Sequence, residues 1–433
     1  FILRIEDTDQ KRSVDGGIEI IIATLNAMGV VPDEGPYLDH KGELRERGEY
    51  GPYIQSKRLD IYKKYADELV ADGKAYHCFC SEERVNKLRE EQIARKEQPR
   101  YDRKCLKMTA EDTKKNINDG IASVIRLKVP EGETVLEDAI RGTVRFLNEH
   151  IGDQVLIKAD GFPTYHLAVV VDDYLMKITT VLRGEEWLSS TPKHLILYEM
   201  FGWQAPRFAH SPNLLNQDKT KLSKRKGDVS VSSYLERGYL KEAIVNFIAT
   251  LGFNPTADRE IYAEKELMES FDISKVKGSG AVLNTEKLDW MNGQYIKSLS
   301  VDDLYLRTRQ FLSDSDNDGI DGDFLRRIIT VEQNRAKTLK EIINAIDSYR
   351  IVGEYNENDL LGEKLDRKTA VESLKFVLDC INSGKVYSGS PKTLEESMKG
   401  LINGAGKQVG AVLWPFRVAL SGKTPSPGPF EYW

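Results

Sequence analysis

The beginning of the chain alternates short apolar runs with helical patterns. The run Phe1–Ile5 predicts a buried strand, and a helical pattern follows from Gly17 to Met28. A second helix is predicted over about 57–72, where apolar residues recur every three to four positions and Gly73 favours a left-handed cap. Between the two helices, frequent Pro and Gly residues from Pro32 to Pro52 predict a loop.

From Tyr76 to about Asp160 the pattern changes. A cysteine-containing piece precedes a charged helical stretch at 81–97, and strand patterns follow at 122–130 and 142–147. This order predicts an α+β unit inserted into the surrounding fold.

After the insertion, α/β character returns. A helix is predicted through 166–175, a strand over 177–182 and a helix from Thr191, with Pro192 in its first turn and Gly202 past its end. Ligands of parallel α/β sheets bind at the carboxyl ends of the strands. We therefore expect site residues just after the strands at the chain start and at 177–182.

From about Lys241 only helical patterns are found, at 241–253, 324–346 and 369–384. The acidic stretch 313–323 begins like a calcium loop, but the twelfth position of that loop would be Leu325, which cannot ligate. We interpret it as a polar loop. The whole pattern predicts an α/β fold split by an insertion and followed by an all-α region.

Composition narrows the class of protein. The 433 residues suggest about three structural units, and no apolar run approaches the roughly 20 residues of a membrane span, so a cytoplasmic protein is expected. A net charge of −6 argues against non-specific coating of nucleic acid but permits one local basic groove. Four cysteines form no disulfide framework. Phe1 stands within a strand pattern and the other end is Pro-rich, so we expect further residues at both ends.

The first chemical candidate is Arg183, in the loop RGEEW after the strand at 177–182. An arginine at a strand end is suited to binding a carboxylate through two hydrogen bonds. The alternative is an internal ion pair with the neighbouring glutamates, which would only fix the loop.

The second candidate is the basic segment 218–228, which contains Lys221, Ser223, Lys224 and Arg225. Clustered cations on a loop suit a triphosphate whose negative charge grows as pyrophosphate leaves. Such a run can equally be a solvated surface. The spacing of a phosphate-cradling P-loop is absent.

The third candidate is a metal site. Cys78, Cys80 and Cys105 have a spacing typical of tetrahedral zinc, and Tyr101 is our candidate for the fourth ligand. His77 is a weaker choice, because ligation by adjacent residues would strain the geometry. Three buried free cysteines are the alternative.

The fourth candidate is the polar group Arg4, Glu6, Asp7 and Asp9 after the first strand. Its carboxylates suit an amino group, magnesium or ribose hydroxyls. They suit capping of the next helix equally well.

Together these segments resemble the glutamyl-tRNA synthetases, class I enzymes with a divided Rossmann-type catalytic fold. The resemblance spans essentially the whole chain and rests on seven ordered motifs. They are RIEDTD (4–9), GPYIQSKRLDIY (51–62), GFPTYHLAVVVDD (161–173), VLRGEEWLSSTPKH (181–194), APRFAHSPNLLN (205–216), DKTKLSKRKGD (218–228) and WMNGQYI (290–296).

The resemblance implies roles for individual residues. Glu6 would bind the α-amino group of L-glutamate, Arg183 its side-chain carboxylate, and Tyr165 would line the same pocket. Lys221 and Lys224 would be catalytic. Their positive charges would stabilise the phosphates of ATP, which binds together with Mg²⁺. These two lysines, with Ser223 and Arg225, would form the ATP-binding loop.

The resemblance also implies a zinc site and a domain order. Zinc would be structural and held by Cys78, Cys80, Tyr101 and Cys105, although Lys107 stands where some zinc-binding members have a histidine. The implied order begins with a first catalytic segment (residues 1–75), an insertion for the tRNA acceptor end (76–160) and a second catalytic segment (161–220). The loop and stem-contact helices (221–300) and an anticodon-binding region (301–433) would follow.

Three further expectations follow. The partner is tRNA(Glu), and the protein is a monomer. The family's HIGH motif for ATP would precede Phe1, so the chain as written is expected to be inactive. The alternatives are a glutamyl-queuosine tRNA(Asp) synthetase, disfavoured by the long helical region, and a non-catalytic tRNA-binding relative.

Overall fold

The computed structural model describes residues 1–9, 15–220, 222, 230–256, 258–312, 320–350, 356–362, 365–386, 390–424 and 426–432. Contacts divide the chain into two units. The first comprises Phe1–Asp228 and Ile248–Asn284, and the second comprises Val229–Phe247 and Thr285–Trp433. Within the described ranges, no helix combines the length and the apolar character that crossing a bilayer requires.

The start of the chain forms less regular structure than its sequence predicts. Within the described residues of Phe1–Asp9, β-bridges occur only at Ile2 and Ile5. Ile5 is buried, whereas Phe1 is 58% exposed. The prediction of a continuous buried strand over Phe1–Ile5 is therefore wrong, because isolated bridges replace a ladder and only the last residue is buried.

A β-hairpin occupies some of the stretch 32–52 that was predicted to be a loop. Strand β1 (Gly35–Leu38) pairs antiparallel with β2 (Leu44–Arg47). The loop prediction is wrong there, because it treats glycine only as a turn signal. A side chain on Gly35 would clash with the backbone of Leu3, so this glycine permits close approach of two segments.

The first two helices are confirmed. Helix α1 spans Gly17–Ala27, and α2 spans Leu59–Ala71 after a 3₁₀ turn at Gln55–Arg58. Helix α2 buries Tyr62, Ala66 and Leu69 on its core side. Gly73 follows it with φ +69°, the left-handed conformation that its position predicted.

Residues 76–160 contribute to two sheets. Strands β3 (Ala75–Cys78), β4 (Val124–Leu127) and β7 (Val155–Ile157) form an antiparallel sheet in the order β3-β4-β7. The hairpin of β5 (Glu133–Asp138) and β6 (Gly142–Leu147) joins a different sheet, described next. Helices α3 (Glu82–Ala94) and α4 (Ala110–Asn118) lie between β3 and β4 in the chain and begin at the capping side chains of Ser81 and Thr109.

The predicted α/β region after the insertion is confirmed, but the strand predicted over 177–182 lies further along the chain, so Arg183 is a strand residue and the prediction that it lies in the following loop is wrong. Helix α5 spans Tyr165–Leu175, and α6 spans Thr191–Phe201, with Pro192 in its first turn and left-handed Gly202 at its end. Strands β8 (Thr180–Gly184) and β9 (Arg207–Ser211) pair in parallel. They complete a four-stranded sheet in the order β6-β5-β9-β8.

The remaining described elements are mostly helical. Their bounds are α7 Val231–Glu236, α8 Lys241–Gly252, α9 Glu264–Ser270, α10 Thr285–Ser298, α11 Val301–Phe311, α12 Gly322–Glu332, α13 Leu339–Arg350, α14 Glu357–Leu361, α15 Arg367–Asn382, α16 Pro391–Gly404, α17 Val409–Ser421 and α18 Pro429–Tyr432. In the second unit, one apolar core lies within 240–346 and another within 377–430.

Two details differ from the helical patterns. The pattern at 324–346 is two helices, α12 and α13, which end and begin on either side of 333–338. A short strand β11 (Ala281–Val282) pairs with β10 (Leu214–Leu215), so the chain after Lys241 is not purely helical. Residues 313–319 of the acidic stretch lie outside the described residues. Leu325, which follows that stretch, is fully buried in the apolar core of the second unit.

Candidate active site

A cavity of about 680 Å³ in the first unit brings together three predicted site residues. Its walls include Glu6, Tyr165 and Arg183, together with Arg4 and Asp173. Tyr165 is the first residue of α5, and Arg183 is the last but one of β8. Glu6 directly follows the β-bridge at Ile5. Arg183 therefore lies at the carboxyl end of a parallel strand, where α/β sheets bind their ligands, and the other two residues meet it there.

Arg183 is held by neutral hydrogen-bond partners. Its Nη1 donates to the Tyr165 hydroxyl at 3.0 Å, and its Nη2 donates to Thr191 Oγ1 at 2.8 Å. Its Nε donates to His210 Nε2 at 3.1 Å, and Nη1 lies 3.4 Å from His194 Nδ1. These contacts fix the plane of the guanidinium group without neutralising it.

The glutamates that follow Arg183 do not pair with it. Glu185 forms its ion pair with Arg141 and accepts hydrogen bonds from Asn213. Within the portion of the chain that the structure describes, no carboxylate lies within ion-pair distance of the Arg183 guanidinium. The interpretation of Arg183 as one half of an internal Arg–Glu pair is therefore wrong, and its charge is available to a ligand.

Tyr165 offers a second donor beside that charge. Its hydroxyl accepts from Arg183, and no acceptor for its own proton is found among the described residues. Burial raises the pKa of Tyr165, and Glu6 adds to this, although Arg183 acts in the opposite direction. The phenol therefore keeps its proton at neutral pH.

Glu6 supplies a negative charge to the cavity, opposite in sign to that of Arg183. Arg4 donates to Glu6 Oε1 at 3.0 Å and to Asp173 Oδ1 at 2.8 Å. Burial alone would lower the pKa of Arg4, but the carboxylates of Asp173, Glu6 and Asp172 outweigh burial and raise it. Gly16, the N-cap residue of α1, has no side chain that could cap the helix. Asp7 Oδ1 instead accepts from the backbone N–H of Ser56 at 2.8 Å, so one carboxylate of this polar group caps the 3₁₀ turn before α2.

A buried carboxylate fixes the helix that carries Tyr165. Asp172 of α5 is fully buried and accepts hydrogen bonds from Gln55 Nε2 at 2.9 Å, Arg58 Nε at 2.8 Å and the Tyr62 hydroxyl at 2.7 Å. These donors come from α2 and the turn before it, so the two halves of the α/β fold are joined beneath the cavity.

Sequence reasoning missed four residues that support Arg183. Thr191, His194 and His210 lie inside the motifs that carry the family resemblance, and this was a usable signal. Asp138, which contacts His210, lies in none of them. Two histidines, a threonine and an aspartate look unremarkable in sequence, because their role depends on contacts between distant segments.

The three clustered cysteines converge as the metal prediction requires. The ligand atoms of Cys78, Cys80 and Cys105 lie within 4.8 Å of one another, and the Cys80–Cys105 Sγ distance is 3.6 Å. Sulfurs around a tetrahedral zinc stand about 3.7 Å apart, given Zn–S bonds of about 2.3 Å. The Tyr101 hydroxyl lies 3.4 Å from Cys78 Sγ and 3.3 Å from Cys80 Sγ.

The side chain of His77 has other contacts. Its Nδ1 lies 3.2 Å from the Ser123 hydroxyl, and its ring stacks on Phe79. Tyr101 instead faces the thiols, and Arg126 lies over the Tyr101 ring at 4.2 Å from its centroid. The donor set of three thiols and one phenol therefore fits a single small cation.

The predicted ATP-binding residues Lys221, Ser223, Lys224 and Arg225 lie outside the described residues. Their placement relative to the cavity stays a prediction. The described segment before them includes β10 and the exposed residue Lys219.

Two families match the chain in succession. Residues 1–290 match the catalytic domain of class I tRNA synthetases (E and Q), and residues 303–433 match an anticodon binding domain. Among curated relatives, the glutamate–tRNA ligase of Clostridioides difficile is 47% identical over 351 residues, covering 79% of this chain and 71% of the relative. The glutamate–tRNA ligase of Alkaliphilus metalliredigens is 41% identical over 436 residues, covering 99% of this chain and 87% of the relative.

A solved structure gives the same result. The glutamate tRNA ligase of Elizabethkingia meningosepticum, in complex with its amino acid, is similar with a TM-score of 0.84 and 33% identity. The similarity covers 100% of this chain and 89% of that one.

Proposed function

The chain belongs to the class I tRNA synthetases for glutamate and glutamine, within the group of glutamate–tRNA ligases, and on this premise we propose that the cavity of Glu6, Tyr165 and Arg183 binds L-glutamate. The enzyme is an aminoacyl-tRNA ligase with a mixed α/β catalytic domain and a helical anticodon-binding region. The queuosine-modifying alternative is not favoured, because it lacks such a region.

The reaction has two steps. The α-carboxylate of glutamate attacks the α-phosphorus of ATP, forming glutamyl-adenylate and releasing pyrophosphate. A carboxylate with a pKa of about 4 is already ionised at neutral pH, so no strong base is needed. A terminal ribose hydroxyl of tRNA then attacks the acyl carbon and releases AMP. The protein must therefore orient glutamate and stabilise charge on the phosphates.

The observation that carries the proposal is the charge of Arg183. An arginine fixed by neutral acceptors, without a carboxylate partner among the described residues, calls for an anion. The free proton of Tyr165 lies beside it. A side-chain carboxylate between them accepts from both, whereas the side-chain amide of glutamine would place its NH₂ group against one of these donors.

Glu6 is proposed to bind the α-amino group of the same substrate. It lines the cavity with Arg183, and Arg4 restrains one of its oxygens. A cation site and an anion site within one cavity match the two charged ends of glutamate. The pattern supports an amino acid with an acidic side chain over a neutral one.

We further propose that Lys221, Ser223, Lys224 and Arg225 bind ATP with Mg²⁺. Support comes from the sequence of the segment alone. Lys221 and Lys224 are the proposed catalytic pair, stabilising negative charge as pyrophosphate leaves.

A structural zinc ion is proposed at Cys78, Cys80, Tyr101 and Cys105. The mutual distances of the ligand atoms support this set. With four protein ligands the ion would have no open position, so its contribution would be to hold β3 against the turn at Lys104–Lys107.

For tRNA, we propose that 76–160 binds the acceptor end and that 221–300 contacts the stem. The segments 1–75 and 161–220 would complete the catalytic fold, and 301–433 would read the anticodon of tRNA(Glu). The anticodon-binding match over 303–433 supports the last assignment. A monomer and a cytoplasmic location stay predictions.

The proposal is tested by glutamate-dependent ATP–pyrophosphate exchange with tRNA present, on the full-length enzyme. Arg183→Ala should lower kcat/KM for glutamate by roughly 10²–10³, because a buried charge partner of the substrate is lost. Arg207→Ala, at the opposite, exposed end of the neighbouring strand, is the matched control. Equal kcat/KM values for Arg183→Ala and the unaltered enzyme would refute the glutamate site.

A further inference from the structure

A buried carboxylate, a buried histidine and Arg183 form a chain of hydrogen bonds. Asp138 Oδ2 lies 2.6 Å from His210 Nδ1, and His210 Nε2 lies 3.1 Å from Arg183 Nε. The side chains of Asp138 and His210 are both fully shielded from solvent. Neither residue lines the cavity, so both act on a substrate only through Arg183.

The hydrogen bonds define one tautomer of His210. An arginine Nε–H can only donate, so His210 Nε2 must accept and the ring proton must reside on Nδ1. Nδ1–H then donates to Asp138 Oδ2. The other oxygen of Asp138, Oδ1, accepts from the backbone N–H groups of Ile140 at 3.0 Å, Arg141 at 2.9 Å and His210 at 3.2 Å.

The protonation states agree with this geometry. Burial lowers the pKa of His210 and outweighs the attraction of Asp138, so the ring is neutral at pH 7. Burial raises the pKa of Asp138, but hydrogen bonds from His210 and the backbone outweigh it and keep the pKa below its usual value. The pair is thus a carboxylate and a neutral imidazole with a lone pair facing Arg183.

We propose that Asp138 and His210 are positioning residues that set the orientation of Arg183 for the substrate carboxylate. The inference rests on the proposed glutamate site. Asp138 fixes the His210 tautomer, and the His210 lone pair holds the Nε edge of the guanidinium group. The opposite edge, which bonds Tyr165 through Nη1, is thereby kept toward the cavity.

Asp138→Asn tests the tautomer, since the shape of the residue is retained. The three backbone N–H donors hold the amide oxygen at the Oδ1 position, so the amide NH₂ faces His210 Nδ1. Nδ1 must then accept, and the proton moves to Nε2, where it opposes Arg183 Nε–H. Loss of a hydrogen bond to a charged group predicts that KM for glutamate rises about tenfold or more. KM for ATP should stay unchanged, and the melting temperature should fall by only a few degrees, because the same hydrogen bond is lost in the free enzyme.

His210→Gln is the matched background in which the effect of Asp138→Asn is measured again. Its side-chain oxygen can accept from Arg183 near the position of Nε2 and requires no tautomer. We expect this variant to stay within about threefold of the original KM for glutamate, and Asp138→Asn to add less than about twofold to it. An equal effect of Asp138→Asn in both backgrounds would overturn the proposal.

Two further results separate a positioning role from a structural one. Ring ¹⁵N chemical shifts should place the proton of His210 on Nδ1 in the unaltered enzyme, and a proton on Nε2 would overturn the proposal without any variant. Parallel losses in glutamate KM, ATP KM and melting temperature would also overturn it. If Arg183→Ala impairs glutamate use while Asp138→Asn does not, the positioning role fails and the glutamate site stands.

Discussion

The cavity around Arg183 and the cluster around Cys80 are two polar sites in one unit. They differ in whether their polar groups already face partners within the protein. Arg183 keeps its charge, and Tyr165 keeps a proton that no described residue accepts. In the cluster, the ligand atoms of three cysteines face one another within 4.8 Å, and the Tyr101 hydroxyl lies against two of them.

Under the functions proposed above, this difference distinguishes a site that binds and releases substrates from a site that holds one metal ion. Unused donors in a cavity bind a ligand that arrives and leaves, because the ligand completes their hydrogen bonds only while it is present. Four donors aimed at one point leave no position for a substrate. The following predictions test this distinction, from the largest expected effect to the smallest.

Lys224→Ala should have the largest effect, because the cavity is useful only if phosphates react beside it. Loss of one cation that stabilises developing charge should lower the rate of adenylate formation by roughly 10²–10³. Lys219→Ala, in the same basic segment, is the control and should have little effect. Similar rates of pyrophosphate exchange for Lys224→Ala and the unaltered enzyme would show that Lys224 does not stabilise the phosphates of ATP.

Cys80→Ser should abolish zinc binding and destabilise the region around β3. Metal binding is coupled to folding at such sites, so the loss should reach several kcal/mol locally. Metal analysis and hydrogen exchange over 76–130 are the measurements, and KM for glutamate should not change in protein that remains folded. The buried Cys380, which lies in the second unit, gives the control Cys380→Ser. A metal-free enzyme with unchanged melting would eliminate the zinc site.

Tyr165→Phe should have an intermediate effect, because it removes one donor and keeps the ring. We expect KM for glutamate to rise about tenfold, the cost of one hydrogen bond to a charged group. Tyr174→Phe is the control on the same helix, where the ring of Tyr174 stacks on Trp203 at 3.9 Å. Identical KM values for Tyr165→Phe and the unaltered enzyme would show that the hydroxyl does not bind the substrate.

The pH dependence of stability should show the smallest effect. Burial, with Lys193 and Arg183 adding to it, lowers the pKa of His166 from 6.5 to about 3. Below pH 6.5 the unfolded chain therefore binds a proton that the folded chain does not, and stability falls as the pH falls. Between pH 7 and 5 this residue should lower the free energy of unfolding by about 1–2 kcal/mol.

His166→Gln should flatten that pH dependence, as measured by urea unfolding at several pH values. The exposed His40 offers the control His40→Gln, which should leave the slope unaltered. A slope that is the same in all three proteins would show that His166 is not held neutral beside Arg183.

The sequence predicted secondary-structure elements and chemically distinctive site residues better than it predicted the residues that position them. Helix α2 follows from apolar spacing and Gly73, and α6 follows from Pro192 and Gly202, all of which are local signals. Arg183 and Cys80 stood out because charge at a strand end and clustered thiols are chemically unusual. These local signals left an alternative open for each residue, and the family resemblance implied their roles.

The errors arose where distant segments decide the outcome. Gly35 suggested a loop, yet it is a strand residue that allows Leu3 to approach. The buried pairing of Asp138 with His210 joins positions 72 residues apart, and neither residue is unusual in its local sequence. A single sequence reports periodicity and composition, but not which segments meet.

Strand β5 has a consequence for engineering. It ends at Asp138, which lies within 76–160, yet it pairs with β9 and thus belongs to the sheet that carries Arg183. Excising 76–160 to obtain a smaller catalytic module would also remove the carboxylate behind His210. A minimal version of this enzyme should therefore retain the hairpin 133–147 and be shortened elsewhere.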